Sequence, residues 1–257
     1  MKIINFKGKV ALITGAAGSI GKAVAAQMIE DGAQVVITDL NEETIQQTAA
    51  ELGCKGMSAD VVNAEQVKRV VVYTIAQYGK IDILVNVAGI VGQGLVEDIT
   101  EEEWDRMFDV NCKGTFLFTK YTVPYMKDNR YGKIINFSSK SGKTGSALMS
   151  HYCAAKGAII SFTQALAYEL ASYQINVNCV CPGITDNSGV WANVSAGYTT
   201  NMNLSKEEVV KRFTEKIPLK RLATIDDVAS VTVFLASQGA DYMTGQAINI
   251  TGGREMH

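Results

Sequence analysis

Proline is scarce in this chain, at three among 257 residues, while hydrophobic residues make up 47%, so the composition that keeps segments disordered is missing. A large core can be buried, and one globular α/β domain over residues 1–257 is the simplest reading. No tract of one charge sign exists either: 24 basic and 26 acidic side chains are interspersed and leave a formal charge of −2. Without a basic run to neutralise successive phosphates, nucleic acid is not an expected partner. Apolar runs such as "VALI" and "ILVNVAGIV" fall far below the ~20 residues that span a bilayer. The start "MKIINFKGKVALITG" lacks the pattern of a cleaved leader, so a cytoplasmic location away from membranes is expected.

Cysteine is present but unpaired in pattern. Cys54, Cys112, Cys153, Cys179 and Cys181 contain no CxxC, and only two histidines accompany them. Reduced thiols packed as small hydrophobes are expected, with neither a disulfide framework nor a structural metal.

What the chain does have is a regular alternation of β-branched runs and helical patterns. Seven strands are predicted, at 10–14, 34–39, 56–60, 81–86, 133–138, 176–180 and 247–250. Helical spacing between them implies a parallel sheet. Ile20, Val24 and Met28 follow the i, i+4, i+8 spacing of a helix packed on that sheet, and Gly32 marks its end. Right-handed crossovers then put helices on both faces, giving a doubly wound fold whose ligands bind outside the carboxyl ends of the strands.

The first strand runs into "TGAAGSIGKAV". Gly15, Gly18 and Gly21 lie between strand and helix, where a missing Cβ lets backbone approach a diphosphate favoured by the helix N-terminus. Alone such a turn is a weak signal. Asp39, at the end of the second strand, makes it far more specific, because a carboxylate there accepts from both hydroxyls of an adenosine ribose. The same carboxylate repels a 2′-phosphate, and Ala16, Ala17, Ser19, Leu40 and Asn41 offer no cation to receive one. NAD is therefore the expected cofactor. Asp60, after the third strand, is suited to an adenine amino group, and Asn86, Ala88 and Gly89 follow the fourth.

These segments, with Asn111 in "DVNCKG", Ser139, "YCAAK" at 152–156, "CPG" at 181–183 and "TGQAINITGG", occur in the order of the short-chain dehydrogenase/reductase family, which the chain resembles over essentially its whole length. Two departures stand out: Ser19 occupies the middle-glycine slot of the usual TGxxxGxG turn, and "NVAG" replaces NNAG. The resemblance implies a single-domain Rossmann fold and dinucleotide contacts from Gly15, Gly18, Ser19, Ile20, Gly21, Asp39, Asp60, Val61, Asn86, Ala88, Gly89, Tyr152, Lys156, Pro182 and Gly183. It also implies that Tyr152 exchanges a proton with the substrate oxygen, Ser139 hydrogen-bonds that oxygen, Lys156 lowers the Tyr152 pKa and holds the nicotinamide ribose, and Asn111 supports a water chain to solvent.

The residues support such a pair on their own terms. Tyr152 and Lys156 at i and i+4 share a helix face. A phenol must fall by roughly 3 pKa units, worth about 4 kcal/mol, to act as a base near neutrality. One cation at ~4 Å in an effective dielectric near 20 supplies about that much.

Residues at about 184–215 are expected to form a helical lid, in which Trp191, Tyr198 and Met202 mix with Asp186, Asn187, Ser188 and Asn193. "SSKSGKTGS", "IPLKR" and "DYMTGQAINITGG" resemble segments of the family's polyol dehydrogenases, including those acting on sorbitol 6-phosphate and butanediol. A secondary alcohol within a polyol is thus the implied substrate. Lys143 is expected to reach a substrate phosphate if there is one, with Lys140 turned away from Ser139 by strand alternation. An NADPH-dependent 3-oxoacyl thioester reductase and a non-catalytic dinucleotide-binding protein remain alternatives. A continuous helix from about Trp104 to Met126 and the helix after Tyr152 are more apolar than one buried face requires, and they imply assembly across twofold axes into a dimer or, as the family resemblance implies, a homotetramer.

Overall fold

Strand residues sort onto two faces with a period of two, and both faces are buried. Ala11, Ile13, Val35, Ile37, Ile83, Val85, Ile135 and Phe137 enter one core, while Leu12, Val36, Leu84 and Ile134 enter another. Burial on both sides is what a parallel sheet with helices over each face requires. The computed structural model describes residues 4–186, 188 and 205–257. Its strands are β1 (Val10–Thr14), β2 (Gln34–Asp39), β3 (Lys55–Ser58), β4 (Ile83–Asn86), β5 (Gly132–Phe137), β6 (Ile175–Pro182) and β7 (Ala247–Ile250). They form one parallel sheet in the order β3-β2-β1-β4-β5-β6-β7. This is the doubly wound fold expected from the alternation.

β1, β2 and β7 have the predicted bounds, and the others differ at their ends. β3 stops at Ser58, before the predicted Asp60, because Asp60 already turns: its Oδ1 accepts the Val62 amide at 3.1 Å. β6 runs on to Pro182 because β7 pairs with it that far.

The helices are α1 (Ser19–Glu30), α2 (Glu42–Leu52), α3 (Ala64–Tyr78), α4 (Glu101–Phe108), α5 (Gly114–Asn129), α6 (Ser141–Thr144), α7 (Ser150–Leu170), α8 (Lys206–Thr214) and α9 (Ile225–Ala236). Val24 and Met28 of α1, Ile45 of α2 and Val233 of α9 fill the first core, whereas Val70, Phe118 and Leu170 of α3, α5 and α7 fill the second. Ile20 packs at the rim of the first core, and α1 gives way to Gly32 at φ +95°.

One expected helix is divided. Between α4 and α5 the chain makes a wide π turn, Asp109–Lys113. The Asn111 Nδ2 donates to the Met107 carbonyl at 2.9 Å, the acceptor that its own backbone amide would use in an α-helix. Of the expected lid, α8 is helical, while Asn187, Trp191, Asn193, Tyr198 and Met202 lie outside the described residues.

Candidate active site

The sheet reverses direction of growth between β1 and β4, and the two strand ends are tied there: the Ala88 amide donates to Thr14 Oγ1 at 3.1 Å. Gly15, at φ +64°, comes so close that a Cβ on it would lie 2.7 Å from the Ala88 nitrogen. Gly21 is packed equally hard, since its Cβ would fall 2.4 Å from the Gly15 carbonyl oxygen. Both glycines are thus required by the turn itself, and the turn leads straight into α1.

The N-terminus of α1 is unlike those of its neighbours. Asn41, Asn63, Thr100, Ser205 and Thr224 cap α2, α3, α4, α8 and α9 with their side chains, and each of those helices has acids in its first turn. α1, beginning after Gly18 with Ser19, Ile20 and Gly21, has neither. Its first amides point along a dipole whose positive end faces the switch in strand order, an arrangement that fits a diphosphate.

Asp39 ends β2 beside this turn. Its Oδ2 accepts the Ala17 amide at 3.0 Å and its Oδ1 the Leu40 amide at 2.7 Å. Lys22 is ion-paired with Glu51 instead. The carboxylate therefore braces the glycine turn from the end of β2. Asp60 is half-buried, and Val61 packs against Gly114, where a Cβ would meet Val61 Cγ2 at 2.7 Å. Pro182 closes β6, and the Gly183 amide donates to the Ile250 carbonyl at 2.9 Å.

Asn86 ends β4 inside a chain of side-chain amides. It is buried between strands, donating from Nδ2 to Asn136 Oδ1 at 2.9 Å, and Asn136 in turn donates to Thr163 Oγ1 at 3.0 Å. The Asn86 Oδ1 is buried and has no partner among the described residues.

Two residues from distant segments converge on Gly89. A Cβ there would lie 2.6 Å from Asn111 Oδ1 and 3.2 Å from Lys156 Nζ. Asn111 spends its amide on the Ile90 and Met107 carbonyls, at 3.1 and 2.9 Å, while its buried Oδ1 has no partner among the described residues. A buried acceptor left open beside an ammonium suits a bound water or ligand hydroxyl. Lys156 Nζ donates to the Phe137 carbonyl at 2.9 Å.

Ser139 and Tyr152 are both buried, and Ser139 Oγ accepts the Ser141 amide at 3.1 Å. The Lys156 ammonium stands 5.8 Å from the centre of the Tyr152 ring. Burial dominates both groups: desolvation pushes the Tyr152 phenol up to about 12, opposed by the nearby Ser139 hydroxyl, and brings Lys156 down to about 8. The expected lowering of the phenol by Lys156 is thus not met by the chain alone.

The lysines after Ser139 also differ from expectation. The extended backbone ends at Lys140, which has helical φ −53° and ψ −33° and donates from Nζ to Ser146 Oγ at 2.9 Å. Lys143 Nζ donates to the Ala247 carbonyl of β7 at 2.7 Å, which ties α6 to the edge of the sheet. A cavity of about 350 Å³ opens between α4 and α7, lined by Trp104, Glu101, Asp105 and Ser150, but none of the four candidate catalytic residues lines it.

Several structural partners escaped the sequence reading. Thr14, Ser138, the Phe137 carbonyl and Gly142 position the site through contacts made only after folding. Of these, Gly142 alone had a local signal, as a glycine close behind Ser139.

A parallel sheet with an open helix N-terminus at its switch point, a buried serine just after β5 and a buried tyrosine and lysine on α7 defines a dinucleotide-dependent oxidoreductase. The chain belongs to the short-chain dehydrogenase/reductase family, whose members work with a nicotinamide dinucleotide: a family profile described as enoyl-(acyl carrier protein) reductase matches residues 15–255. It is 37% identical to a sorbitol dehydrogenase of Cereibacter sphaeroides and 39% identical to a galactitol 2-dehydrogenase of Agrobacterium fabrum, each alignment covering 98% of this chain and 100% of the relative. A 3-oxoacyl-(acyl-carrier-protein) reductase of Thermotoga maritima is 37% identical over 97% of this chain and 99% of its own. Among solved structures, an actinorhodin polyketide ketoreductase variant with NADPH superposes with a TM-score of 0.93 at 32% identity, covering 97% of this chain and 98% of that one. A xylitol dehydrogenase bound to NAD⁺ gives 0.91 at 32% identity, covering 96% and 99%.

Proposed function

We propose that this oxidoreductase uses NAD to interconvert a secondary alcohol of an uncharged polyol and the corresponding ketone. The observation that carries the reading is the joint burial of Ser139, Tyr152, Lys156 and Asn111, with the open Asn111 Oδ1 and the Lys156 ammonium meeting at Gly89.

The dinucleotide, when bound, supplies the hydride acceptor or donor and, oxidised, a positive ring. This chain's residues do the rest. The α1 amides and the Gly15–Gly21 turn receive the diphosphate, Asp39 reads the ribose, Asp60 and Val61 flank the adenine, and Lys156 meets the second ribose. Ser139 and Tyr152 hold the substrate oxygen, and Tyr152 gives or takes its proton at the phenol oxygen. Because burial keeps the phenol protonated, the chain by itself is set to donate; removing a proton from an alcohol needs the added positive charge of the bound oxidised ring. Asn111 Oδ1 and Lys156 Nζ provide the two ends of a relay for that proton.

Asp39, with no cation to replace it, supports NAD over NADP. The sorbitol and galactitol relatives support a polyol, and the engagement of Lys143 with Ala247 favours an uncharged one. A second reading, an NADPH-dependent 3-oxoacyl thioester reductase, is favoured by the Thermotoga maritima relative. Initial rates at 340 nm with NAD and NADP, across sugar alcohols, diols and 3-hydroxyacyl thioesters, separate the two. NAD-linked oxidation of a polyol is expected; activity confined to NADPH and an oxoacyl thioester would overturn the proposal. We also propose a cytoplasmic homotetramer assembled through the outer faces of α5 and α7.

A further inference from the structure

The segment after β7 folds back and buries a carboxylate behind the catalytic serine. Glu255 is fixed through its backbone: its carbonyl accepts from Asn249 Nδ2 at 3.0 Å and Thr251 Oγ1 at 3.1 Å, and its amide donates to Thr251 Oγ1 at 3.3 Å. Its side chain is 9% exposed. Oε1 lies 3.3 Å from Arg254 Nε and 4.0 Å from Lys140 Nζ, while the buried Oε2 has no partner among the described residues. So poorly solvated a carboxylate is held mainly by those two cations, and each matters in turn to the carboxylate's position.

The two cations belong to different parts of the site. Lys140 follows Ser139 directly, and its amide donates to the Pro182 carbonyl at 3.0 Å. Arg254 lies with its guanidinium carbon 5.5 Å from the centre of the Phe213 ring on α8. α8 closes the same wall as the tyrosine, since its Val209 shares a buried cluster with Met149 and Tyr152. Between Lys140 and Arg254 there is a cavity of only about 10 Å³, bordered by Gly183 and Ile184, which has room for a water and none for a phosphate.

We propose that Glu255 is a positioning residue: with Arg254 it forms a clasp that seats α8 on the site and at the same time steadies Lys140 and the turn carrying Ser139. The clasp sets how well substrate is enclosed and borders the expected dinucleotide contacts only at Pro182 and Gly183. It rests on the reading of Ser139 and Tyr152 as the reacting pair.

The test compares wild type with Glu255→Gln, Arg254→Met, Lys140→Met and the Glu255→Gln/Lys140→Met double variant. Hydrogen exchange in the dinucleotide-free protein follows residues 205–214 and 138–146. Steady-state kinetics with the best alcohol and fluorescence titration with NAD complete it. Glu255→Gln and Arg254→Met are expected to speed exchange in α8 several-fold while leaving the strands unchanged. KM for the alcohol should rise about tenfold with kcat within about threefold and NAD affinity kept. The double variant should be no worse than Glu255→Gln, because the two residues act as one unit. Unaltered α8 exchange in both single variants, or faster exchange spread across the sheet, would overturn the clasp. The expected exchange pattern in a protein that oxidises no alcohol would support the clasp and defeat the catalytic reading.

Discussion

Ser138 donates its hydroxyl to the main-chain carbonyl of Lys156 at 2.7 Å, locking the end of β5 to the middle of the helix that carries the tyrosine and lysine. Gly142 tightens the same junction, since a Cβ there would lie 2.6 Å from the Lys156 carbonyl carbon. The geometry between Ser139 and Tyr152 is therefore set by main-chain packing, and a change confined to one hydroxyl should leave it intact.

Tyr152→Phe removes that one oxygen. Turnover is expected to fall by at least about a thousandfold, the scale of losing a general acid or base, with the melting temperature and NAD affinity nearly unchanged. Rates at 340 nm and fluorescence titration check both halves; near wild-type turnover would sink the assignment.

Asp39→Ser removes the carboxylate that accepts the Ala17 amide and faces the ribose position. NAD should bind more weakly and NADP better, narrowing the preference by about tenfold to a hundredfold, or roughly 1.4 kcal/mol per factor of ten. The ratio of kcat/KM for the two dinucleotides measures it, and an unchanged ratio would exclude Asp39 from the ribose site.

Gly89→Ala puts a methyl 2.6 Å from Asn111 Oδ1 and 3.2 Å from Lys156 Nζ. Overpacking of this kind costs about 1–3 kcal/mol of stability. Activity should drop far more than the melting temperature suggests, because the displaced groups are the proposed proton path. Parallel calorimetry and kinetics test this; full activity in a folded variant would show that the path lies elsewhere.

The buried pair has opposite signatures in alkali. Tyr152 sits at about 12, so without dinucleotide its phenol should stay protonated below about pH 11, and alkaline difference spectra of wild type and Tyr152→Phe should coincide up to that point. Lys156 sits at about 8, below the ~10.4 of an unfolded lysine, so the folded state holds fewer protons between those values. Unfolding free energy then rises with pH across that window, the penalty for burying the ammonium being full below pH 8 and relieved above it. Relative to Lys156→Met, wild type should gain stability from pH 8 to pH 10; a constant difference in denaturant midpoints would contradict it.

Phe116 on α5 is 44% exposed and Tyr168 on α7 is 90% exposed, although both sit on helices that already bury another face. If these outer faces meet copies of themselves, Phe116→Glu with Tyr168→Glu should lower the mass seen by sedimentation from tetramer towards dimer or monomer. A wild-type monomer at micromolar concentration would rule the assembly out.

β-Branched apolar runs alternating with helical patterns, glycines at strand ends and the i, i+4 spacing of Tyr152 and Lys156 are local features, and for that reason the sheet, its parallel sense and the α1 turn were legible in the sequence, while Ser139 and Asn111 were singled out through the family resemblance. Strand ends were less so, because β3 and β6 stop where a turn or a neighbouring strand dictates. The break at Asn111 was hidden for a similar reason: nothing in the helical pattern of "EEWDRMFDVNCKGTF" announces a side-chain amide competing for the Met107 carbonyl.

Charge and desolvation belonged to tertiary structure alone. Spacing put Lys156 one helical turn from Tyr152, but the depth of burial decided that the phenol moves up, and contact with the Phe137 carbonyl decided where the ammonium points. Proximity in sequence likewise made Lys140 and Lys143 look available to a ligand. Only the folded chain brings Ala247 to one and Ser146 and Glu255 to the other, across more than a hundred residues in two of those three contacts, and a cation in a poorly solvated place takes whichever acceptor the fold delivers.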